Sequence, residues 1–400
     1  MDLLSQQNQQ KQKSKGQKIV LLLLIVSIIL LIISMVAIFL LQSNKTKTLG
    51  LNVNGNDYLI QENMLISGKN AKTYISIESV ATLSGYDYIE GGYLENKEDA
   101  KKCYIENINQ VIEYEANNKR IRKIIQGSKI EDEYYDLKNE ILFSNNIFYI
   151  ALEDLNIGCN VVYEFSEEEY KIKINTTENL IEKYNEDKNF TEKGLNVDKN
   201  FKNQRALTYN MIVVSNSAGK MGVVDTKTNS IIGYKYTTME FNECSQKFIV
   251  SSDNKYGVIS KDGRLIIELK YQEVEIINYY PLLYKVRLNN KYGILNEEGK
   301  IIVNLEYDKI GFDESSSLTE AVYIIKDINN KQNGIVVCKN NKYGIAELET
   351  GKIILNCEVD KIYSKNTDSE DNKYYIELKG TEIELDRYIE YVNTTTVVTN

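Results

Sequence analysis

Histidine is absent from this 400-residue chain. Its absence excludes a Ser-His-Asp or Cys-His catalytic unit, an HExxH zinc protease and a His-ligated copper centre. Tryptophan is also absent, and proline occurs once. The five cysteines, Cys103, Cys159, Cys244, Cys338 and Cys357, form no CxxC pair. Zinc is therefore not expected, and an odd count leaves at least one thiol unpaired. Cys338 and Cys357 fall in strands of one repeat and are the two that could be neighbours. No GxxxxGK[ST] loop, GxGxxG fingerprint or Asp-x-Asp-x-Asp-Gly calcium loop occurs. Acidic runs such as Glu167–Glu169 and Asp368–Asp371 fit solvated turns, and no motif marks a pair of glycosidase carboxylates. The sequence thus points to no catalytic residue, no metal and no cofactor. With 48 Lys+Arg against 57 Asp+Glu, the net charge of −9 argues against a nucleic-acid partner.

What is present is apolar and aromatic. Hydrophobic residues make up 42%, and there are 30 tyrosines, enough to bury real cores rather than leave the chain disordered. The length fits two or three domains. Abundant Lys, Ile, Asn and Tyr suggest an AT-rich genome, as in a Gram-positive bacterium. Ile19 to Leu41 is a run of 23 residues without a charge. As a helix it would span about 34 Å, enough for a hydrocarbon core of about 30 Å. Ser27 and Ser34 are its only polar side chains, and their hydroxyls can bond within the helix. The run is long for a signal peptide and lacks a small-x-small site after it, so an uncleaved anchor is expected. Lys11, Lys13, Lys15 and Lys18 precede it, and only Lys45 and Lys47 follow closely. The positive-inside rule then keeps residues 1–18 in the cytoplasm as a low-complexity tail and places the rest outside.

Residues 51–175 alternate short strands with two short helices. Leu51–Ile60 alternates about Asn54-Gly55, a hairpin signal. Tyr74–Gly85 begins as a strand and turns into a helix that Ser76 can cap, with Glu78 in its first turn and Gly85 as its stop. Phe148–Gly158 repeats that order, and Val161–Phe165 with Tyr170–Ile174 forms another hairpin. This strand, helix, Gly and hairpin cassette resembles the copper amine oxidase-like N-terminal, or stalk, domain. Ser76 and Ala151 stand where that family has Pro, and Glu78 and Glu153 where it has Arg. The resemblance implies a spacer or binding fold and no oxidase, because the oxidase chemistry belongs to a separate domain with three His ligands. Residues 176–203 are polar with weak periodicity and read as a linker that can hold one helical turn or two.

Residues 204–364 hold an internal repeat. Lys220-Met-Gly, Lys255-Tyr-Gly, Lys291-Tyr-Gly and Lys342-Tyr-Gly align, and Gly222, Gly257, Gly293 and Gly344 are 35, 36 and 51 apart. The long interval implies an insertion near Asp313–Asn333. An Asn-rich turn precedes each later Lys-Tyr-Gly strand, at Asp253-Asn254, Asn289-Asn290 and Asn340-Asn341. A second turn carries Gly263, Gly299 or Gly351, and an apolar third strand follows. Tyr236, Tyr271 and Tyr307 each lie 14 residues after the unit's glycine, and Val359 lies 15 after Gly344. The pattern predicts a three-stranded antiparallel meander per unit. It resembles the WG repeat family, with Tyr256, Tyr292 and Tyr343 (Met221 in the first unit) where the family has Trp. Rings recurring at a fixed period are expected in the core, each lying against a neighbouring glycine. Tyr279, Tyr280, Tyr284 and Tyr323 fall outside the fixed offsets and are the candidates for exposed contacts. Residues 365–400 read as a capping hairpin followed by a loose tail from residue 393.

The expected fold is mainly β: a transmembrane helix, an α+β stalk-like domain, then three-stranded repeats in a solenoid-like or propeller-like array. The expected function is a membrane-anchored, non-enzymatic surface protein that binds a protein or a cell-wall polymer. An envelope or sporulation signalling or assembly component is the alternative, and an exported wall-glycan hydrolase using Asp/Glu stands behind both.

Overall fold

The computed structural model describes residues 27, 30–35, 48–68, 71–91, 101–126, 133–228, 231–313, 321–329, 332–365 and 373–397. The chain divides into two compact units, residues 1–51 with 165–172, and residues 52–164 with 173–400. In the first, residues 30–35 are helical and the Ser34 hydroxyl donates to the Leu31 carbonyl at 2.8 Å. Most of the expected span 19–41, the tail 1–18 and the acidic stretch 366–372 lie outside the described residues. Among the described residues, no helix is long and apolar enough to cross a membrane. The Gly50 N–H donates to the Tyr170 carbonyl at 3.1 Å. Glu167 to Glu169 lie in an exposed turn, where the Ser166 hydroxyl accepts from the Glu169 N–H.

The second unit begins with the two strand–helix cassettes. Ser76 caps the helix Ile77–Ser84 by accepting from the Ser79 N–H, and Gly85 ends it at φ 76°. In the second cassette a 3-10 turn, Leu152–Asp154, leads into the helix Leu155–Cys159. Its stop is Asn160, at φ 54°, and not Gly158 as the sequence suggests. Gly158 sits inside the helix because a Cβ there would run into the Ile150 side chain. Strands Thr73–Ser76 and Ile147–Ala151 pair antiparallel, so the two cassettes join at their strands. Between them the chain builds a five-stranded antiparallel meander from Asp87 to Asp136, in sequence order.

Residues 176–203 carry more structure than the one or two helical turns expected. They form helices Thr177–Glu186, Lys188–Thr191 and Phe201–Gln204 and a short strand, Asn196–Val197. Leu180, Ile181, Phe190 and Leu195 pack with Leu207, Ile212 and Val214, and so cover the first repeat sheet. Their apolar residues are spaced too sparsely for a clear helical period, yet each lands on the same buried face.

The first three repeats are four-stranded antiparallel sheets and the fourth is five-stranded, not the three-stranded meander the spacing predicts. The second sheet runs Thr238–Asn242, Lys247–Ser252, Lys255–Ser260 and Leu265–Tyr271, and the third runs Glu273–Tyr279, Leu282–Leu288, Lys291–Asn296 and Ile301–Tyr307. The residues just after the recurrent Tyr open the next sheet. The first sheet takes its extra strand from 196–197, and the fourth from Lys309–Ile310. Around the expected insertion, Phe312–Asp313 pairs with Ala321–Val322 and Ile324–Ile328 pairs with the strand Gln332–Lys339. Residues Lys361–Lys365, Lys373–Leu378 and Thr381–Glu384 make a final three-stranded sheet. A helix over Leu385–Val397 follows and takes in residues 393–397 of the expected loose tail, and Leu385 and Ile389 pack on that sheet's core.

The cores lie between consecutive sheets. Val258, Ile267 and Tyr271 of the second sheet pack with Val274, Ile276 and Tyr284 of the third. Ile294, Val303 and Tyr307 of the third pack with Ile310, Ile335 and Val337 of the fourth. This is the nearest-neighbour stacking of a repeat array. A polar clip joins the same neighbours. The residue after the recurrent Tyr accepts from a turn N–H in the next sheet: Gln272 from Asn290 at 3.1 Å, Asp308 from Asn340 at 2.7 Å, Asp360 from Lys379 at 2.7 Å. Asp308 and Asp360 also pair with Lys291 and Lys342 of their own sheets. Asp308→Ala should therefore speed hydrogen exchange at the Asn340 amide and leave the Asn290 amide, held by Gln272, unchanged. Equal exchange at Asn340 in both proteins would remove the clip from the account of the array.

Candidate functional site

Met221, Tyr256, Tyr292 and Tyr343 pair directly across strands with Tyr236, Tyr271, Tyr307 and Val359. The fixed offset of 14 in the sequence is thus a cross-strand register. Val359 comes one residue later because Glu349 lengthens the turn before Gly351. Tyr236, Tyr271 and Tyr307 are buried, while Met221, Tyr256, Tyr292 and Tyr343 are half-buried. All seven tyrosine and methionine side chains lie in or against the cores between sheets. The nearest obstacle at each glycine is backbone, with a ring close only at Gly222, where Tyr234 Cδ1 stands 3.0 Å from a Cβ position. A Cβ at Gly222, Gly257, Gly293 or Gly344 would fall inside 3.0 Å of a main-chain carbonyl on the last strand of its sheet, that of Ile232, Ile267, Val303 or Leu355. The ladder register shifts at each of these glycines. A β-bulge brings the backbones together there, and only glycine leaves room.

Of the four tyrosines expected at the surface, one is there. Tyr280 is 65% exposed. Tyr284 is fully buried and belongs to the core between the second and third sheets. Tyr323 is half-buried, with Lys285 Nζ 4.9 Å from its ring centre. The Tyr279 hydroxyl donates to Glu133 at 2.8 Å and accepts from the Asn242 amide at 2.7 Å.

Tyr279 leads into a buried ionic cluster that the motifs do not reveal. Lys123 Nζ meets both carboxylate oxygens of Glu243, at 3.0 and 3.1 Å. The Arg205 guanidinium bonds Glu243 through Nε at 2.6 Å and Glu133 through Nη2 at 3.0 Å. The Tyr135 hydroxyl accepts from Arg205 at 2.8 Å and donates to Glu133. All four charges are 3% exposed or less. Local structure explains the placement. Lys123 shares the inward face of its strand with Ile121 and Ile125. Arg205 opens the 3-10 turn Arg205–Tyr209, and the preceding helix is tied to the strand Thr238–Asn242 by Asn203. Two cations face two carboxylates, which is how buried charges are tolerated. Burial lowers the pKa of Lys123, against the pull of Glu243. Burial alone would raise Glu133, but Arg205 and the hydroxyls of Tyr135 and Tyr279 hold it below its ordinary value.

Two cavities flank this cluster. One of about 710 Å³ runs along the first three sheets, with Met221, Ile249, Tyr256 and Ile276 among its walls and Glu133, Arg205 and Tyr279 at one side. Several of its wall charges are answered: Lys202 by Glu240 at 2.7 Å, and Glu275 and Glu273 by Lys285 behind the wall, at 2.5 and 3.3 Å. The other, of about 530 Å³, shares Tyr279 with the first and lies among the turns at one end of the sheets. Among the described residues, no group of three His, Cys, Asp or Glu is placed to hold a metal. All five cysteines are free, including Cys338 and Cys357. Burial pushes the Cys244 thiol up to about 11 and Cys159 to about 12, so neither is an activated nucleophile.

The family model for the WG containing repeat matches residues 256–292 and 292–331. No curated protein sequence matches the chain. Among solved structures, the WD40 β-propeller domain of Doa1 is 9% identical, over 75% of this chain and 87% of that one, at a TM-score of 0.20. PorZ, an essential bacterial surface component of the type-IX secretion system of Porphyromonas gingivalis, is 10% identical over 70% of this chain and 37% of its own, at 0.19. The extracellular domain of the putative one-component system BT4673 from B. thetaiotaomicron is 11% identical over 78% and 44%, at 0.21.

Proposed function

We propose that the repeat region is a non-catalytic scaffold that binds a protein or cell-wall partner. A single-pass anchor at 19–41 holds it outside the cytoplasm, and the stalk-like region 51–175 spaces it from the membrane. The observation that carries this reading is the cleft of about 710 Å³ along consecutive repeat sheets. It offers apolar wall and paired charges, which suit recognition rather than proton transfer. The match of the WG containing repeat model to residues 256–331 supports a repeat surface as the working part. The anchor and its orientation rest on the uncharged run and the lysines before it.

One experiment tests both halves. A photo-crosslinking amino acid replaces Ile249 in the cleft, with Ile353 of the fourth sheet as the control position. Protoplasts are irradiated intact, then treated with external protease. The expected result is an adduct specific to position 249 that the protease removes. No adduct at 249 above the control defeats the scaffold. An adduct that the protease cannot reach defeats the topology.

A further inference from the structure

The cavity of about 530 Å³ is built from turns that an antiparallel meander brings to one end: Cys244–Lys247, Tyr279–Leu282, Asn296–Glu298 and the lengthened turn at Glu349. Three carboxylates, Glu297, Glu298 and Glu349, line it against one ammonium, Lys247, which stands 3.9 Å from Glu297. These carboxylates outnumber the one cation of the lining. Its floor is apolar, with Pro281, Leu282 and Ile302. The Tyr280 ring stands at its side, and its hydroxyl donates to the Tyr134 carbonyl at 3.1 Å, which fixes the ring. Tyr284 is fully buried and outside the lining, its hydroxyl has no hydrogen-bond partner, and of the wall groups Glu297 and Ser245 act on it.

We infer that this cavity takes the cationic side chain of a protein partner, an arginine above all. The inference rests on the scaffold reading and names the chemistry of the partner. A guanidinium stacks its plane on the Tyr280 ring and gives its N–H groups to Glu298 and Glu349. Its three-carbon stem lies on Pro281, Leu282 and Ile302. The volume falls in the usual range for a small-ligand pocket. A neutral group of the same shape leaves the carboxylates unanswered.

The test uses the full-length chain in detergent, labelled with 3-fluorotyrosine, with the Tyr280 resonance assigned through Tyr280→Phe. The probes are three capped peptides, Gly-Ser-Gly-X-Gly-Ser-Gly, with X arginine, lysine or citrulline, and a glucosamine trimer. Arginine should shift the Tyr280 resonance to saturation, with citrulline at least about tenfold weaker, as expected for loss of one charge-assisted hydrogen bond. Glu298→Gln with Glu349→Gln should weaken arginine binding about tenfold and leave thermal unfolding unchanged, since both side chains sit in surface turns. Equal binding of arginine and citrulline overturns the inference. So does a glucosamine trimer that saturates at lower concentration than the arginine peptide, which would make the site one for an amino sugar. If adducts at position 249 persist while arginine selectivity at Tyr280 is absent, the pocket assignment fails and the scaffold stands.

Discussion

Arg205→Met should destabilise the repeat region by about 3–5 kcal/mol, the cost of removing one partner from a buried ion pair. Among the described residues, Arg205 is the one that bonds both Glu133 and Glu243. Without it, two buried carboxylates face Lys123 alone. Methionine fills similar volume, so the loss reports charge more than packing. A second readout separates the two. Glu133 is held below its ordinary value, so the stability it contributes is present above the unfolded-chain value of about 4.3 and is lost as pH falls through the lower native value. In Arg205→Met, burial is left to dominate at Glu133, and protonation then relieves the stranded carboxylate. The penalty of the substitution should be smaller near about pH 4 than near about pH 7. A penalty equal at both pH values, or under about 1 kcal/mol, would mean that the cluster is solvated and not a lock.

Gly293→Val should cost about 3 kcal/mol, at the upper end for overpacking. The obstacle is the Val303 carbonyl, 2.7 Å from where a Cβ would stand, with the Leu305 N–H at 3.0 Å. Backbone on a paired strand cannot turn aside as a side chain does. Leu305 also contributes its Cγ at 2.9 Å, which gives the control. Leu305→Ala in the Gly293→Val background removes the side chain and leaves the carbonyl. Thermal unfolding of the double variant should show no recovery. Full recovery would assign the glycine to side-chain packing after all.

The repeat was legible because its determinants are local. The Asn-rich turns adopt positive φ at Asp253-Asn254, Asn289-Asn290 and Asn340-Asn341, as their chemistry requires. The spacing between the Tyr-Gly strand and the next Tyr followed from a register. The fourth strand was missed because it belongs to the unit after the Tyr, and a period alone does not say where a unit begins. Burial of 176–203 was missed because its apolar residues are scattered over three short helices. The ionic cluster joins residues up to 120 positions apart in pairs such as Lys123 with Glu243, beyond any local pattern. One signal was there: in Arg120–Ile125, strict alternation puts Lys123 on the same face as Ile121 and Ile125. A lysine between inward isoleucines needs a buried carboxylate, though the sequence does not say which.

The clips between sheets all point the same way along the chain. Gln272, Asp308 and Asp360 accept, and Asn290, Asn340 and Lys379, each later in the sequence, donate. The turn glycines obey the same order: Gly299 packs against Ile266 and Gly351 against Ile302 of the preceding sheet. A chain that emerges from its N-terminus, from a ribosome or a translocation pore, therefore presents each acceptor before the turn that will occupy it. Within the repeats, every new sheet finds a finished template behind it. Assembly can proceed as a ratchet, one unit per step, with the 177–204 helices as its first surface and the helix Leu385–Val397 as its closing one.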